Sequence, residues 1–314
     1  MEEKLLQGDR RALARLISMV ENNEEKKTDV LKKIHAHTGK AYVFGITGSP
    51  GSGKSSLVDQ LLVHIRKMGL TVGVIAVDPS SPFSGGAILG DRIRMQNHAL
   101  DPGIFIRSMG SRGTLGGLSK ATREAIKILD AFGKDVIFVE TVGVGQSEVD
   151  VVKYADTTVL VLTPAAGDSV QTIKAGIMEI ADLFIVNKSD LPGVDRTVTE
   201  LKAMLDLDSS GDWKPPIVQT NSLEGKGISE FWEAAQDHRR YLEDSGKLQQ
   251  RRKDRVHREF IDQVEYLVKS EVWNRIQAEV SIEDLVEDLV NRRSDPYSLA
   301  RELLSRIGLP AEEL

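Results

Sequence analysis

The chain has 314 residues, no cysteine and a formal net charge of −6. That length buries a large core without disulfides or metal staples, the acidic balance argues against nucleic-acid binding by phosphate neutralisation, and the absent thiols exclude thiolate zinc sites and cysteine nucleophiles. Met1 to Arg15 lacks a secretory apolar core and no run approaches about 18 apolar residues, so the reading is a cytoplasmic protein without a membrane span.

Leu13, Leu16, Ile17 and Val20 recur at helical steps, and Val30, Leu31 and Ile34 repeat the pattern. Residues 1–38 therefore read as an N-terminal helical segment that stops at Thr38-Gly39. The nearly continuous apolar run from Ala41 to Thr47 then predicts a buried strand. Further apolar strands are predicted at Thr71–Val77, Ile104–Arg107, Val136–Glu140, Thr157–Leu162, Leu183–Val186 and Ile217–Gln219, alternating with helical patterns. Such alternation implies an α/β fold: right-handed βαβ units, a mostly parallel sheet with helices on both faces, and ligand chemistry at the carboxyl ends of the strands. Residues 39–240 form this predicted domain. Beyond it, residues 241–314 read as a C-terminal helical arm with apolar positions at Val256, Phe260, Val264 and Leu267, at Ile282, Leu285, Val286 and Leu289, and at Leu299, Leu303 and Ile307. Those faces need a cover, either the chain's own core or a partner. The basic run Arg251-Arg252-Lys253 with Arg255 and Arg258 reads as a solvated helix face.

Between the first strand and the next helix stands Gly48-Ser49-Pro50-Gly51-Ser52-Gly53-Lys54-Ser55, followed by Ser56, which satisfies G-x-x-x-x-G-K-[ST]. The glycines let backbone amides converge on phosphate oxygens, and the helix that follows offers its positive end. In this P-loop reading Lys54 bridges the β- and γ-phosphates and Ser55 ligates Mg²⁺. The strand Val136–Val139 ends in Glu140, a carboxylate placed to hold Mg²⁺ through its water shell, and Gly143 is placed to give its N–H to the γ-phosphate. Asp78 and Asp91 are further carboxylates within reach of a metal, with helix capping or turn formation as their competing roles.

Asn187-Lys188-Ser189-Asp190 follows an apolar strand in the order of the guanine-specifying N-K-x-D pattern. The Asp190 carboxylate accepts two parallel hydrogen bonds from guanine, whereas adenine has no such donor pair and would leave it unpaired. Asn187 ties either the base or a neighbouring loop, and the Lys188 stem covers the base face. Asn221, Ser222 and Leu223, after the last strand, occupy the place of the turn that meets guanine O6 in GTPases. The water-orienting Gln of Ras-like enzymes is replaced by Val144, with the first Gln at Gln146, so hydrolysis is expected to be slow until a partner completes the site. Arg92, Arg94 and Arg112 lie in polar segments where an arginine could supply charge to the γ-phosphate; Arg94 is grouped with Lys54, Glu140 and Asp91 as the catalytic set.

These residues resemble the G3E-type P-loop GTPases, and within them the methylmalonyl-CoA mutase-associated proteins of the MeaB/ArgK type. The resemblance rests on Gly48–Ser55, Val77-Asp78-Pro79-Ser80-Ser81-Pro82, Gly90-Asp91-Arg92-Ile93-Arg94-Met95, Ser111–Gly117, Glu140–Glu148 and Ala166-Gly167-Asp168 with Gln171 and Ile173–Glu179, and it spans the whole chain. It implies a homodimeric GTPase chaperone, using GTP and Mg²⁺, for an adenosylcobalamin-dependent acyl-CoA mutase, with the adenosyltransferase as a further partner. It also implies that Asp78, Asp91 and Glu140 belong to the Mg²⁺ shell, and that Gly167, Asp168, Gln171 and Lys174 lie in a switch segment that communicates with the mutase.

None of the six histidines sits in an Asp-x-His-x-x-Gly pattern, so cobalamin is expected on the partner. His35 and His37 stand two apart, a spacing at which helical side chains do not face one another. Two other readings remain open at this level. One is an ArgK-like kinase or ATPase linked to amino-acid transport, and the other is a nickel-insertion metallochaperone GTPase.

Overall fold

The computed structural model describes residues 1–78, 98, 100–110, 117–141, 153–164, 180–207 and 212–309. Three short helices, α1 (Glu2–Leu6), α2 (Arg10–Glu21) and α3 (Lys27–Ile34), precede β1 (Tyr42–Thr47). There follow α4 (Lys54–Lys67), β2 (Val72–Asp78), β3 (Ile104–Gly110), α5 (Gly117–Ala131), β4 (Val136–Thr141), β5 (Thr157–Leu162), β6 (Leu183–Asn187), α6 (Val194–Leu207), β7 (Ile217–Thr220) and α7 (Ile228–Asp244). The seven predicted strands are all present. They form one parallel sheet in the order β3-β2-β4-β1-β5-β6-β7.

Strand alternation distributes the apolar side chains between two faces. Tyr42, Phe44 and Ile46 of β1 pack with Leu57, Leu61 and Ile65 of α4 and with Phe231 and Trp232 of α7. Val43, Ile137 and Val139 face the opposite layer, where α5 contributes Ala125, Ile128 and Leu129 and the N-terminal helices contribute Leu5, Leu13, Leu16 and Ile17. The N-terminal helices therefore share the core of the sheet. Their entry is fixed locally: Asp9 caps α2 by accepting from the Arg11 and Ala12 amides at 2.7 and 3.2 Å. The Asp130 carboxylate at the end of α5 accepts from the backbone N–H groups of Gly39, Lys40 and Ala41, which straightens the chain into β1.

A buried ion pair joins α3 to α5 inside this layer. Lys27 Nζ on α3 donates to both carboxylate oxygens of Glu124 on α5, at 3.1 and 2.9 Å, and both residues are buried. Breaking a buried pair strands a charge, whereas replacing both partners by apolar groups does not. Glu124→Ala is expected to destabilise the fold by about 3 kcal/mol, and Lys27→Met combined with Glu124→Leu to recover most of that. Denaturant midpoints of the single and double variants check it; a double variant no more stable than the single one would contradict it.

Two compact units divide the chain, Met1–Gln249 and Gln250–Leu314. The long helix α8 (Lys247–Glu279) leads into the second, which continues with α9 (Ile282–Val290) and α10 (Pro296–Arg306). Asp295 caps α10 ahead of Pro296, and Ser281 caps α9. Among the described residues of this unit only Ile276 is a buried hydrophobic; Val256, Phe260, Val264, Leu267 and Tyr297 are all exposed. Among the described residues, no helix is long and apolar enough to cross a membrane.

Candidate nucleotide site

The register places the chemistry at the carboxyl edge of the sheet. β1 lies between β4 and β5, and Glu140 on β4 stands opposite Ile46 of β1 and Ala76 of β2. From the end of β1 the chain turns through the P-loop into α4. Gly48, Gly51 and Gly53 have φ of +139°, +76° and +90°, where side-chain-bearing residues are strained. Space enforces glycine at two of them: a Cβ on Gly48 would lie 2.1 Å from the Val161 carbonyl oxygen, and one on Gly53 would lie 2.3 Å from Asn187 Nδ2. Gly53→Ala is therefore expected to lower both thermal stability and nucleotide affinity, by about 2 kcal/mol or more in stability, because it strains the backbone and displaces Asn187. A melting curve and a nucleotide titration of one preparation check this. An unchanged pair of values would show that the loop tolerates a methyl group.

Lys54 is 6% exposed, and its ammonium donates to the carbonyl oxygens of Gly48 and Ser49 at 2.6 and 3.0 Å. It closes the loop into a ring, with the positive charge held at the place the sequence assigns to phosphate. Ser55 Oγ donates to Glu140 Oε1 at 2.6 Å, and Glu140 is buried. The hydroxyl and the carboxylate thus converge from α4 and β4. They form an all-oxygen donor set suited to a small hard cation, and Mg²⁺ fits it. Asp78 ends β2 opposite Gly110, one position beyond the Val77–Thr141 pair that adjoins Glu140. Ser49, Pro50 and Gly51 lie exposed along the loop, Ser52 is buried beneath it, and Ser56 is half-buried on α4. Asp91, Arg94 and Gly143, with Gly167, Asp168, Gln171 and Lys174, lie outside the described residues.

The base-side turn is built around Asn187, which is wholly buried. Its Nδ2 donates to the Ser52 carbonyl of the P-loop at 2.8 Å and to Ser222 Oγ at 3.2 Å. Its Oδ1 accepts from Thr220 Oγ1 and from the Ser222 amide, both at 3.1 Å. Asn187 therefore ties neighbouring loops, the second of the two roles its motif allows. Thr220 and the Ser52 carbonyl are members of this lock that the motif alone does not reveal; the signal was a threonine closing a strand just before the Asn221-Ser222 turn. Lys188 follows at φ +59°, a left-handed backbone that reverses the chain toward Asp190. Asp190 is exposed, and its Oδ1 accepts from Asn221 Nδ2 at 3.0 Å. Ser222 is buried within the lock, while Leu223 is 86% exposed beside it.

An Asn-Lys-x-Asp turn tied through Asn187 to a G-x-x-x-x-G-K-S loop, both at the carboxyl ends of a parallel sheet, is the arrangement of the P-loop GTPases, and that defines the class. The family model described as "Methylmalonyl Co-A mutase-associated GTPase MeaB" matches residues 13–279, and the chain belongs to the MeaB family. Among its relatives is a Pyrococcus horikoshii protein carrying a GTPase name, 56% identical over 310 residues that make up 97% of this chain and 96% of that one. The Mus musculus protein named methylmalonic aciduria type A homolog, mitochondrial, is 35% identical over 295 residues, 88% of this chain and 68% of the other. A solved structure described as an LAO/AO transport system kinase superposes with a TM-score of 0.73 at 30% identity, covering 98% of this chain and 96% of that one.

Proposed function

We propose that this protein is a GTP-hydrolysing chaperone that gates adenosylcobalamin loading, protection and reactivation of a B12-dependent acyl-CoA mutase, methylmalonyl-CoA mutase or a close relative. The observation that carries the reading is the family match over residues 13–279, under a description that associates the family with that mutase. In this reading the P-loop amides and Lys54 hold the β- and γ-phosphates, and Asp190 selects the base. Ser55 and Glu140 hold Mg²⁺, joined by Asp78 and Asp91; the bound ion supplies charge neutralisation to the phosphates. Lys54, Asp91, Arg94 and Glu140 serve turnover, Gly143 meets the γ-phosphate, and Gly167, Asp168, Gln171 and Lys174 carry the nucleotide state to the mutase. With Val144 where a water-orienting Gln stands in Ras-like enzymes, turnover is slow until the mutase completes the site.

The protein acts as a cytoplasmic homodimer, with residues 241–314 as the dimerisation arm. The exposed Val256, Phe260, Val264 and Leu267 support that role, since they present an apolar face in the single chain. Cobalamin is carried by the mutase, and the adenosyltransferase is a further partner in the cycle. The test is GTP hydrolysis by the purified chain, alone and with candidate mutases in cofactor-free and cofactor-loaded forms, with ATP as control. Slow turnover accelerated by one mutase supports the proposal. No response to any cobalamin mutase of the same cell removes the chaperone role and leaves the GTPase. A second reading, a kinase, is favoured by the description of the solved relative. Transfer of labelled γ-phosphate to a metabolite or protein, instead of water, would support it.

A further inference from the structure

We infer that Asn221 is a positioning residue for guanine selection: its side-chain amide orients the Asp190 carboxylate, so that base recognition belongs to the pair and not to Asp190 alone. The inference rests on the GTP reading above. Asn221 is 5% exposed, and its amide has little freedom to turn. Its Oδ1 accepts from the backbone N–H groups of Leu223 and Glu224 at 3.1 and 3.3 Å, while its own N–H and C=O exchange hydrogen bonds with Lys226 at 3.0 and 3.1 Å. With the oxygen committed inward, Nδ2 is directed to Asp190 Oδ1 at 3.0 Å.

Asp190 needs such a guide. It is exposed, and it follows the left-handed Lys188 on a tight turn. An exposed carboxylate free to change rotamer must be ordered when the base arrives, whereas one held by a buried amide is ordered beforehand. The two loops keep their spacing because Asn187 bonds both to Thr220 and Ser222 on one side and to the P-loop on the other. The charged neighbours of the pair are Lys188, on the Asp190 turn, and Lys226 and Glu224, on the Asn221 turn. Lys226 bonds chiefly to Glu224, at 2.6 Å, which raises its pKa, with a smaller contribution from Asp190. Being exposed, it is screened and cannot fix the carboxylate as the amide does.

Asn221→Asp isolates this role. It keeps the oxygen that accepts from Leu223 and Glu224, removes the donor, and sets a second carboxyl against Asp190. Where both carboxyls are ionised they repel. Toward acid the pair shares one proton, and the new O–H takes over from the lost N–H. GTP affinity of this variant is expected to fall about tenfold or more below the parent near pH 8, and the gap to close as pH falls to about 5. In an Asp190→Asn background, titrated with XTP, the same substitution should produce no pH-dependent gap. An affinity equal to the parent at every pH overturns the inference. So does a pH-independent loss that persists in the Asp190→Asn background, which would mark Asn221 as a turn former only. Circular dichroism checks the fold. If the variant does not fold, Asn221→Ala takes its place: reduced preference for GTP over ATP that depends on Asp190 supports the inference, and equal loss of both nucleotides overturns it. A parent chain without preference for GTP over ATP overturns the GTP reading and this inference with it.

Discussion

Lys54→Ala is expected to reduce GTP turnover by at least about a hundredfold at saturating nucleotide, the magnitude typical of losing a preorganised charge at a developing anion. The structure gives this lysine two tasks. Its buried ammonium satisfies the Gly48 and Ser49 carbonyls, so it shapes the loop, and it is the positive charge that the loop encloses. Removing it leaves two carbonyls without that donor and a phosphate site without its cation, so affinity for the triphosphate should fall along with turnover. Lys54→Arg should not rescue turnover, because a planar guanidinium does not occupy the place of a compact ammonium within so small a ring. Single-turnover hydrolysis with excess protein, beside direct nucleotide binding, separates the two losses. Turnover within about tenfold of the parent, measured at saturation, would place the chemistry elsewhere.

Asp190→Asn is expected to transfer preference from guanine to xanthine nucleotides, raising the XTP-to-GTP affinity ratio by about a hundredfold or more. Guanine presents two donors to a carboxylate, whereas xanthine replaces the exocyclic amine by a carbonyl and so matches an amide. Each mismatched bond to a charged or buried group is worth about 1.5–3 kcal/mol, and two of them account for the ratio. The substitution leaves the fold in place, since Asp190 is exposed and the Asn187 lock does not include it. Asn221 would also orient the new amide, its Nδ2 donating to that amide's carbonyl oxygen as it now donates to the carboxylate oxygen. Competition titrations with GTP, XTP and ATP at one pH measure the change. A variant that still prefers GTP would remove Asp190 from base selection.

The sequence by itself determined the sheet and the identity of its edge. Seven apolar runs became seven parallel strands: the inner ones are buried on both faces and so must be apolar along their length, a pattern that needs no knowledge of neighbours, whereas the edge strands β3 and β7 are partly exposed. The two turns at that edge were legible for a similar reason: the positive-φ glycines with Lys54, and Asn187 with Asp190, each stand within a few residues of chain. What the tertiary structure alone decided are relations between distant segments. The N-terminal helices share the core of the sheet because Leu13, Leu16 and Ile17 meet α5 there, and amphipathicity states only that a helix needs a cover. The buried Lys27–Glu124 pair joins residues 97 apart, and neither charge announces its partner. The motif left Asn187 two roles, and packing settled that it bonds Ser52 and Ser222. Likewise, the sequence placed Asn221 only in the turn expected to meet guanine O6, and its bond to Asp190 emerged when β6 and β7 came into register, because a hydrogen bond across 31 residues depends on the distance between two loops.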